Sequence, residues 1–317
     1  MKGSVAESFP PSCYSLPVRR YAPLLKLLGV ALFIGIIVRL DGEVIGGFLA
    51  SAQWKLLLYG IAALFGVLCV KAFRWHTLVE AAGAQRSATI SFREFMIGVF
   101  LSTWTPGKIG DFGKAAYVRS YGIGMKTGAI IVIIERMADA GILLVMALLG
   151  AWALYGTRGW EASVVATLAL ACVICIAARF SQKIAGAIRY CISHHALLRL
   201  ILTTTLGWGL HYIWVICVAR SIGITVSIPV LIAAATGSSL LNALPIAPLG
   251  LGTREAALLY LLSPHGVEPE RVVALSMLML LELLIVAVPG AWFWLRHPLG
   301  KAASAPDTAE AAGTLLS

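Results

Sequence analysis

The chain is 317 residues long, 59% hydrophobic and 13% charged, with a mean hydropathy of +0.88, whereas a soluble domain carries about 25% charged residues. That composition excludes a water-soluble enzyme or regulator and defines a polytopic membrane protein. The net charge of +10 does not signal nucleic acid, because the basic residues lie between apolar runs rather than in one patch.

In chain order, residues 1–21 form a polar segment, expected to be cytoplasmic. It is too long for the charged start of a signal peptide, and the nearest Ala-x-Ala, Ala50 to Ala52, lies beyond Leu40. The first apolar run is therefore expected to be retained. Runs at about 22–40, 54–73, 127–156, 162–179, 200–219 and 271–296 each approach the roughly 20 residues that cross a bilayer as a helix. Two others, 92–105 and 228–246, are each followed by a Gly/Pro-rich break and a short second arm. The first rises only ~21 Å as a helix, against a hydrocarbon core of ~30 Å. Both are expected to enter, break and return on the same side. The runs lack polar alternation and are rich in Leu and Ala, which argues against strands. The expected fold is an all-α polytopic membrane protein with about six full spans and two opposed, broken re-entrant hairpins. It forms one transmembrane domain over 22–297, followed by a disordered cytoplasmic tail, 298–317.

The charges orient this arrangement. Basic residues concentrate in alternate connections: Lys2, Arg19, Arg20 and Lys26; Lys71, Arg74, Arg86 and Arg93; Lys108, Lys114, Arg119 and Lys126; Arg179, Lys183, Arg189 and Arg199; Arg296 and Lys301. The other connections mix Arg39, Lys55, Arg158, Arg220 and Arg271 with Asp41, Glu43, Glu161, Glu268 and Glu270. The positive-inside rule then puts both termini in the cytoplasm and the 155–161 loop outside. Cys172-x-x-Cys175 lies within an apolar run without a flanking His or carboxylate, so small packing residues are expected, with no metal and no cofactor. His194-His195 is read as part of a solvated cytoplasmic turn.

Residues 22–156 and 162–296 read as half-repeats of opposite orientation, each two spans, a broken hairpin and one long span. The breaks share a pattern, running from Pro106 or Pro248 through Gly110 or Gly252 and a basic residue to Ala-Ala and Tyr117 or Tyr260. The following spans carry the carboxylates Glu135 and Glu282. Such symmetry, with Gly/Pro-interrupted segments at matching places, points to the central site of a transporter.

Backbone that leaves helix geometry inside a membrane must find partners in protein or in a water-filled cavity. Asp111 and Thr253 are placed to cap short helices after the breaks, whose free N–H groups suit an anion. Lys108, Gly110, Asp111, Arg136, Gly252 and Arg254 are accordingly the candidate substrate-binding residues, with a phosphate as the natural guest. Lys114 and Arg119 are read instead as sitting in the cytoplasmic headgroup zone. Glu135, Asp139, Glu255 and Glu282 are candidate charge or proton carriers. Arg136 neighbours Asp139 at i, i+3, and Glu282, with no base near it on its own span, is expected to pair with Arg254. Ser102, Thr103, Ser238, Ser239 and Asn242 are expected to satisfy the loosened backbone, and Trp54, Trp75, Trp104, Trp160 and Trp208 to act as interfacial anchors. No nucleotide-binding loop, metalloprotease helix or nucleophile elbow occurs, and an enzyme is not expected.

The stretches RWHTLVEAAG, FLSTWTPGKIGDFGKAAYVRSYG, IIERMADAGILL and LPIAPLGLGTREAALL, in order over about residues 70–290, resemble the membrane region of bacterial lysylphosphatidylglycerol synthases and their stand-alone flippase-like relatives. The resemblance implies an integral inner-membrane protein that moves an amphipathic lipid between leaflets, of phospholipid, polyprenyl-linked or hopanoid type. Its Glu-Arg pair maps to Glu135 and Arg136, and its Gly-x-Arg-Glu to Gly252, Arg254 and Glu255. Only a short polar segment follows Arg296, so aminoacyl transfer is not expected. The partners implied are a membrane lipid or, in the alternative, a separate lipid-synthesis enzyme that this chain serves without moving lipid.

Overall fold

A computed structural model describes residues 34–36, 38–105, 110–180, 194–243 and 250–297. These residues are helical and connected by turns, with no strand among them. The helices are α1 (Gly42–Ala50), α2 (Trp54–Ala81), α3 (Ala88–Trp104), α4 (Gly113–Tyr117), α5 (Met125–Phe180), α6 (His194–Ser221), α7 (Ile228–Ala243), α8 (Thr253–Leu262) and α9 (Pro269–Arg296). Trp54–Ala81, Leu197–Ser221 and Pro269–Arg296 are long and apolar enough to cross a membrane. Most of the run at 22–40 and the segments 106–109, 244–249 and 298–317 lie outside the described residues.

Two expectations change. The 155–161 loop is one non-helical residue, Gly156 at φ 63° and ψ −145°, between two helical stretches of α5. Glycine tolerates this conformation. The acidic connection after the first run is itself helical, because Asp41 Oδ1 accepts from the N–H groups of Glu43 (2.9 Å) and Val44 (3.3 Å) and so caps α1.

After α1 the chain runs through one order of elements twice. A 28-residue helix (α2, α6) leads through a tight turn to a helix of 17 or 16 residues (α3, α7). A short helix (α4, α8) and a 3-10 turn follow, and each turn ends on a glycine at φ 79°, Gly122 or Gly266, before the long helix α5 or α9. Packing repeats as well. The equivalent helices α2 and α6 lie against each other, and α3 packs on α9 as α7 packs on α5. Both of the latter crossings close over a glycine. A Cβ on Gly290 would stand 2.2 Å from the Met96 carbonyl oxygen, and one on Gly150 2.9 Å from Ala233 Cβ. Between apolar helices in lipid, such small residues permit the close contact that stands in for hydrophobic drive.

Candidate functional site

The polar centre of the first half is built where α2, α4 and α5 meet. Glu135, Arg136 and Asp139 project from α5, with Glu135 and Asp139 one turn apart on one face. From α2, also one turn apart, come Lys71 and Arg74. Arg74, fully buried, donates from Nε to Glu135 Oε1 (3.3 Å), from Nη1 to Asp139 Oδ1 (2.9 Å) and from Nη2 to Asp139 Oδ2 (3.3 Å). Thr204 of α6 takes a further Nη1 bond at 3.0 Å. Lys71 Nζ reaches Asp139 Oδ2 at 3.3 Å and lies 5.2 Å from the Trp208 ring centroid, while Trp208 Nε1 donates to Asp139 Oδ1 at 3.2 Å.

Lys114 comes from the short helix after the first break. Its stem crosses Gly98, where a Cβ would stand 2.5 Å from Lys114 Cγ, so only glycine leaves the channel open. Its ammonium lies 2.7 Å from Glu135 Oε2 and 3.0 Å from Asp111 Oδ1, against the faces of Trp75 and Phe95. Arg136 completes the set, with Nη2 2.8 Å from Asp111 Oδ2 and 3.9 Å from Asp139 Oδ2. Its side chain keeps 34% exposure, while the three carboxylates are buried. Four cations thus meet three carboxylates among the described residues, and the surplus charge has its open side at Arg136. A buried ion cluster rarely repays its desolvation in stability alone, so an arrangement of this size suggests a binding role.

The break itself is closed by Thr105, whose Oγ1 donates to the Leu101 carbonyl (3.0 Å) and accepts from Gly110 N (2.7 Å). A Cβ on Gly110 would stand 2.3 Å from the Leu101 carbonyl oxygen, so this approach requires glycine. Nearer the turn between α2 and α3, Arg86 pairs with Glu94 and lies over the Trp75 and Tyr121 rings. Burial pulls the Arg86 guanidinium below its ordinary value, against the opposing charge of Glu94.

The second half is more sparsely charged. Arg254 is buried and donates from Nε to Ser276 Oγ (2.7 Å), with Glu255 Oε1 at 3.8 Å. Ser276 donates to Glu255 Oε1, and Glu255 Oε2 accepts from Gly252 N at 2.6 Å. Glu282, buried on α9, accepts from Trp214 Nε1 at 2.6 Å. Trp214 stands nine residues before the positive-φ Gly223, as Arg74 stands nine before Gly83. A neutral donor therefore holds the second carboxylate at the position where a guanidinium holds the first.

Several expectations need correction. Arg254 does not pair with Glu282. It is engaged at Ser276, six residues or ~9 Å along α9 from Glu282. Lys114 is not in a headgroup zone but buried, because Glu135 and Asp111 balance it. Lys71 and Arg74, counted as loop charges, belong to α2 and to the cluster. Asp111 is no helix cap, because Lys114 and Arg136 engage its carboxylate. Thr253 is none either, since Glu255 takes the N–H of Gly252 while Thr253 Oγ1 turns to the Gly250 carbonyl (3.1 Å) and Asn242 (3.2 Å). The five-residue α4 has little dipole with which to hold an anion. Ser102 and Thr103 bond back to Val99 of their own helix, leaving the break to Thr105. Trp75 and Trp208 are buried ring walls, whereas Trp54 and Trp104 remain exposed. The pairing of Arg136 with Asp139 holds, although Asp111 is the closer partner. Lys108 and the side chains of Cys172, Cys175, His194, His195 and Trp160 lie outside the described residues.

Long apolar helices around a buried ionic centre define a multi-pass membrane protein. Its sequence matches the model of the lysylphosphatidylglycerol synthase TM region over residues 26–290, and the chain belongs to that family. No curated protein and no solved structure matches it significantly. The family ties the chain to lipid biology, and the described residues add the ionic centre.

Proposed function

We propose that this chain moves an amphipathic lipid with an anionic headgroup between the leaflets of the bacterial inner membrane, as a transporter and not an enzyme. In this reading both termini are cytoplasmic. The two passages through α2–α5 and α6–α9 are an inverted repeat, and the arms around the breaks at 106–109 and 244–249 are opposed re-entrant hairpins that meet near the midplane. The lipid phosphate binds at Arg136, assisted by Lys108 and the Gly110–Asp111 turn, with Gly252 and Arg254 on the side of the second hairpin. Its acyl chains stay in the bilayer. Asp111, Glu135 and Asp139 hold Lys114 and Arg74 in place and balance all but one of the four cations.

The observation that carries this reading is the cation surplus of the cluster, open at Arg136. Equal numbers of charges would suffice for a purely structural core, whereas one extra cation beside a partly exposed guanidinium leaves room for a phosphate. The test is reconstitution of the purified chain in liposomes with a labelled anionic phospholipid. Wild type should accelerate leaflet exchange by itself, and Arg136→Gln should lose most of that activity while remaining folded. A wild-type chain that leaves exchange at the protein-free rate would instead support the role of partner to a separate lipid-synthesis enzyme.

A further inference from the structure

Glu282 is the one carboxylate of the two centres that the cations leave aside. It is 3% exposed, and its Oε2 accepts the Trp214 Nε1–H at 2.6 Å. Oε1 has no hydrogen-bond partner, and neither oxygen forms an ion pair among the described residues. The wall opposite is Gly60 of α2, where a Cβ would stand 3.1 Å from Oε2 and 3.4 Å from Oε1, so that position brings no side chain to the carboxylate.

Among the described residues, the charged groups on the helices packed against α9 are held elsewhere or exposed: Lys55 of α2 is exposed beside the Trp54 ring, Glu80 faces His76, and Arg199 of α6 is exposed. From α2, Lys71 and Arg74 bind Asp139 and Glu135. From α3, Glu94 is held by Arg86, and Arg93 Nη1 lies 3.1 Å from His297 Nε2. From α8, Arg254 and Glu255 close on Ser276. On α6, Arg220 donates to the carbonyls of Ile224 and Val226, and Glu43 of α1 is exposed. That leaves His211, stacked 5.2 Å from the Trp214 ring, and Cys217, each one turn from Trp214 on α6, as the titratable neighbours. Neither forms an ion pair with Glu282 among the described residues. A carboxylate held away from water with no cation beside it is costly in its charged form.

We infer that Glu282 is the proton-binding site of this protein, loaded in the conformation seen here and unloaded in another, and that this exchange ties lipid movement to a proton gradient. The proton arrives from water on one side and forms an O–H bond at Oε1, while Oε2 keeps its bond from Trp214. It leaves to water on the other side when rearrangement of the two halves hydrates Oε1 or brings a cation to it. No other bond is made or broken. The three carboxylates of the first half differ in that each lies in an ion pair with at least one of the four cations. The coupling clause rests on the transport reading above, whereas the site itself does not.

Two measurements on the full chain in liposomes separate them. Infrared difference spectra between acid and alkaline medium should show the C=O band of a buried carboxylic acid, absent in Glu282→Gln and retained in Glu255→Gln. A band unaffected by Glu282→Gln overturns the site. With a labelled anionic phospholipid, the steady-state leaflet ratio in wild type should shift by up to about tenfold per unit of pH difference, as one coupled proton allows. Glu282→Gln, which mimics the loaded state and can still accept from Trp214, should exchange lipid without responding to the gradient. A response unchanged in Glu282→Gln, or one that follows a sodium gradient at equal pH, overturns the coupling. Exchange absent from wild type overturns the transport reading and leaves the infrared result standing for the site.

Discussion

The two halves of this chain repeat one order of helices but fill it with different chemistry. In the first, Arg74, Lys71, Lys114 and Arg136 hold Glu135, Asp139 and Asp111 in a connected ionic network. In the second, Arg254 and Glu255 form a small local set with Ser276, and Glu282 has only the Trp214 N–H. The helix scaffold therefore does not dictate the charge. A guanidinium at the position of Arg74 gives Glu135 and Asp139 a charged partner, whereas the indole at the equivalent Trp214 gives Glu282 a neutral one.

The strongest way to break this contrast is to remove the cation at the centre of the first half. Arg74→Met leaves Glu135 and Asp139 short of their main partner in a buried place, a change that costs about 3–5 kcal/mol. Thermal unfolding in detergent should show Arg74→Met severely destabilised or unfolded. Replacing Glu135 by Gln as well should recover part of the loss, because the uncompensated charge goes with it. A mild effect of Arg74→Met would show that the network is hydrated and that the halves differ less than their side chains suggest.

A second comparison concerns the equivalent crossings. Gly290→Ala drives a methyl against the Met96 carbonyl of the backbone, while Gly150→Ala meets the Ala233 side chain at a longer distance. Overpacking typically costs about 1–3 kcal/mol. Gly290→Ala should fall at or above the upper end and Gly150→Ala near the lower, read from the same melting experiment. Equal losses would mean that the two crossings adapt alike.

These contrasts also mark what could be read from residues alone. Helix type, several apolar runs, the two breaks and the carboxylates Glu135, Asp139 and Glu282 were legible, because hydropathy and the cost of charge in lipid are local properties of the chain. The partners were not. Lys71 and Arg74 look like the charged edge of a loop when α2 is taken to end near residue 73, yet that helix continues to Ala81 and carries both inward. The doubling of Arg-Trp at 74–75 with the Glu-Arg pair was the available signal. Lys114 reads as surface until Gly98 opens a channel for its stem, a contact between helices that no spacing announces. Arg254 was assigned to Glu282 because both were unmatched, while Ser276, a neutral residue two turns away on α9, was the partner.

The smallest expected effect tests the neutral state of Glu282 most directly. Trp214→Phe removes one hydrogen bond while preserving most of the ring volume. If Glu282 were ionised, its loss would be that of a bond to a charged group, about 1.5–3 kcal/mol, with a buried carboxylate then left bare; a bond to a neutral acid contributes nearer 1 kcal/mol. At neutral pH, Trp214→Phe should therefore destabilise by about 1 kcal/mol, and the loss should grow as the medium is made alkaline. The sign follows from linkage: a group that holds its proton in the folded protein but releases it when unfolded contributes stability that fades as pH rises. Combining Trp214→Phe with Glu282→Gln should flatten that dependence. A large loss at neutral pH that stays the same on alkalinisation would instead mark Glu282 as a carboxylate that never takes a proton.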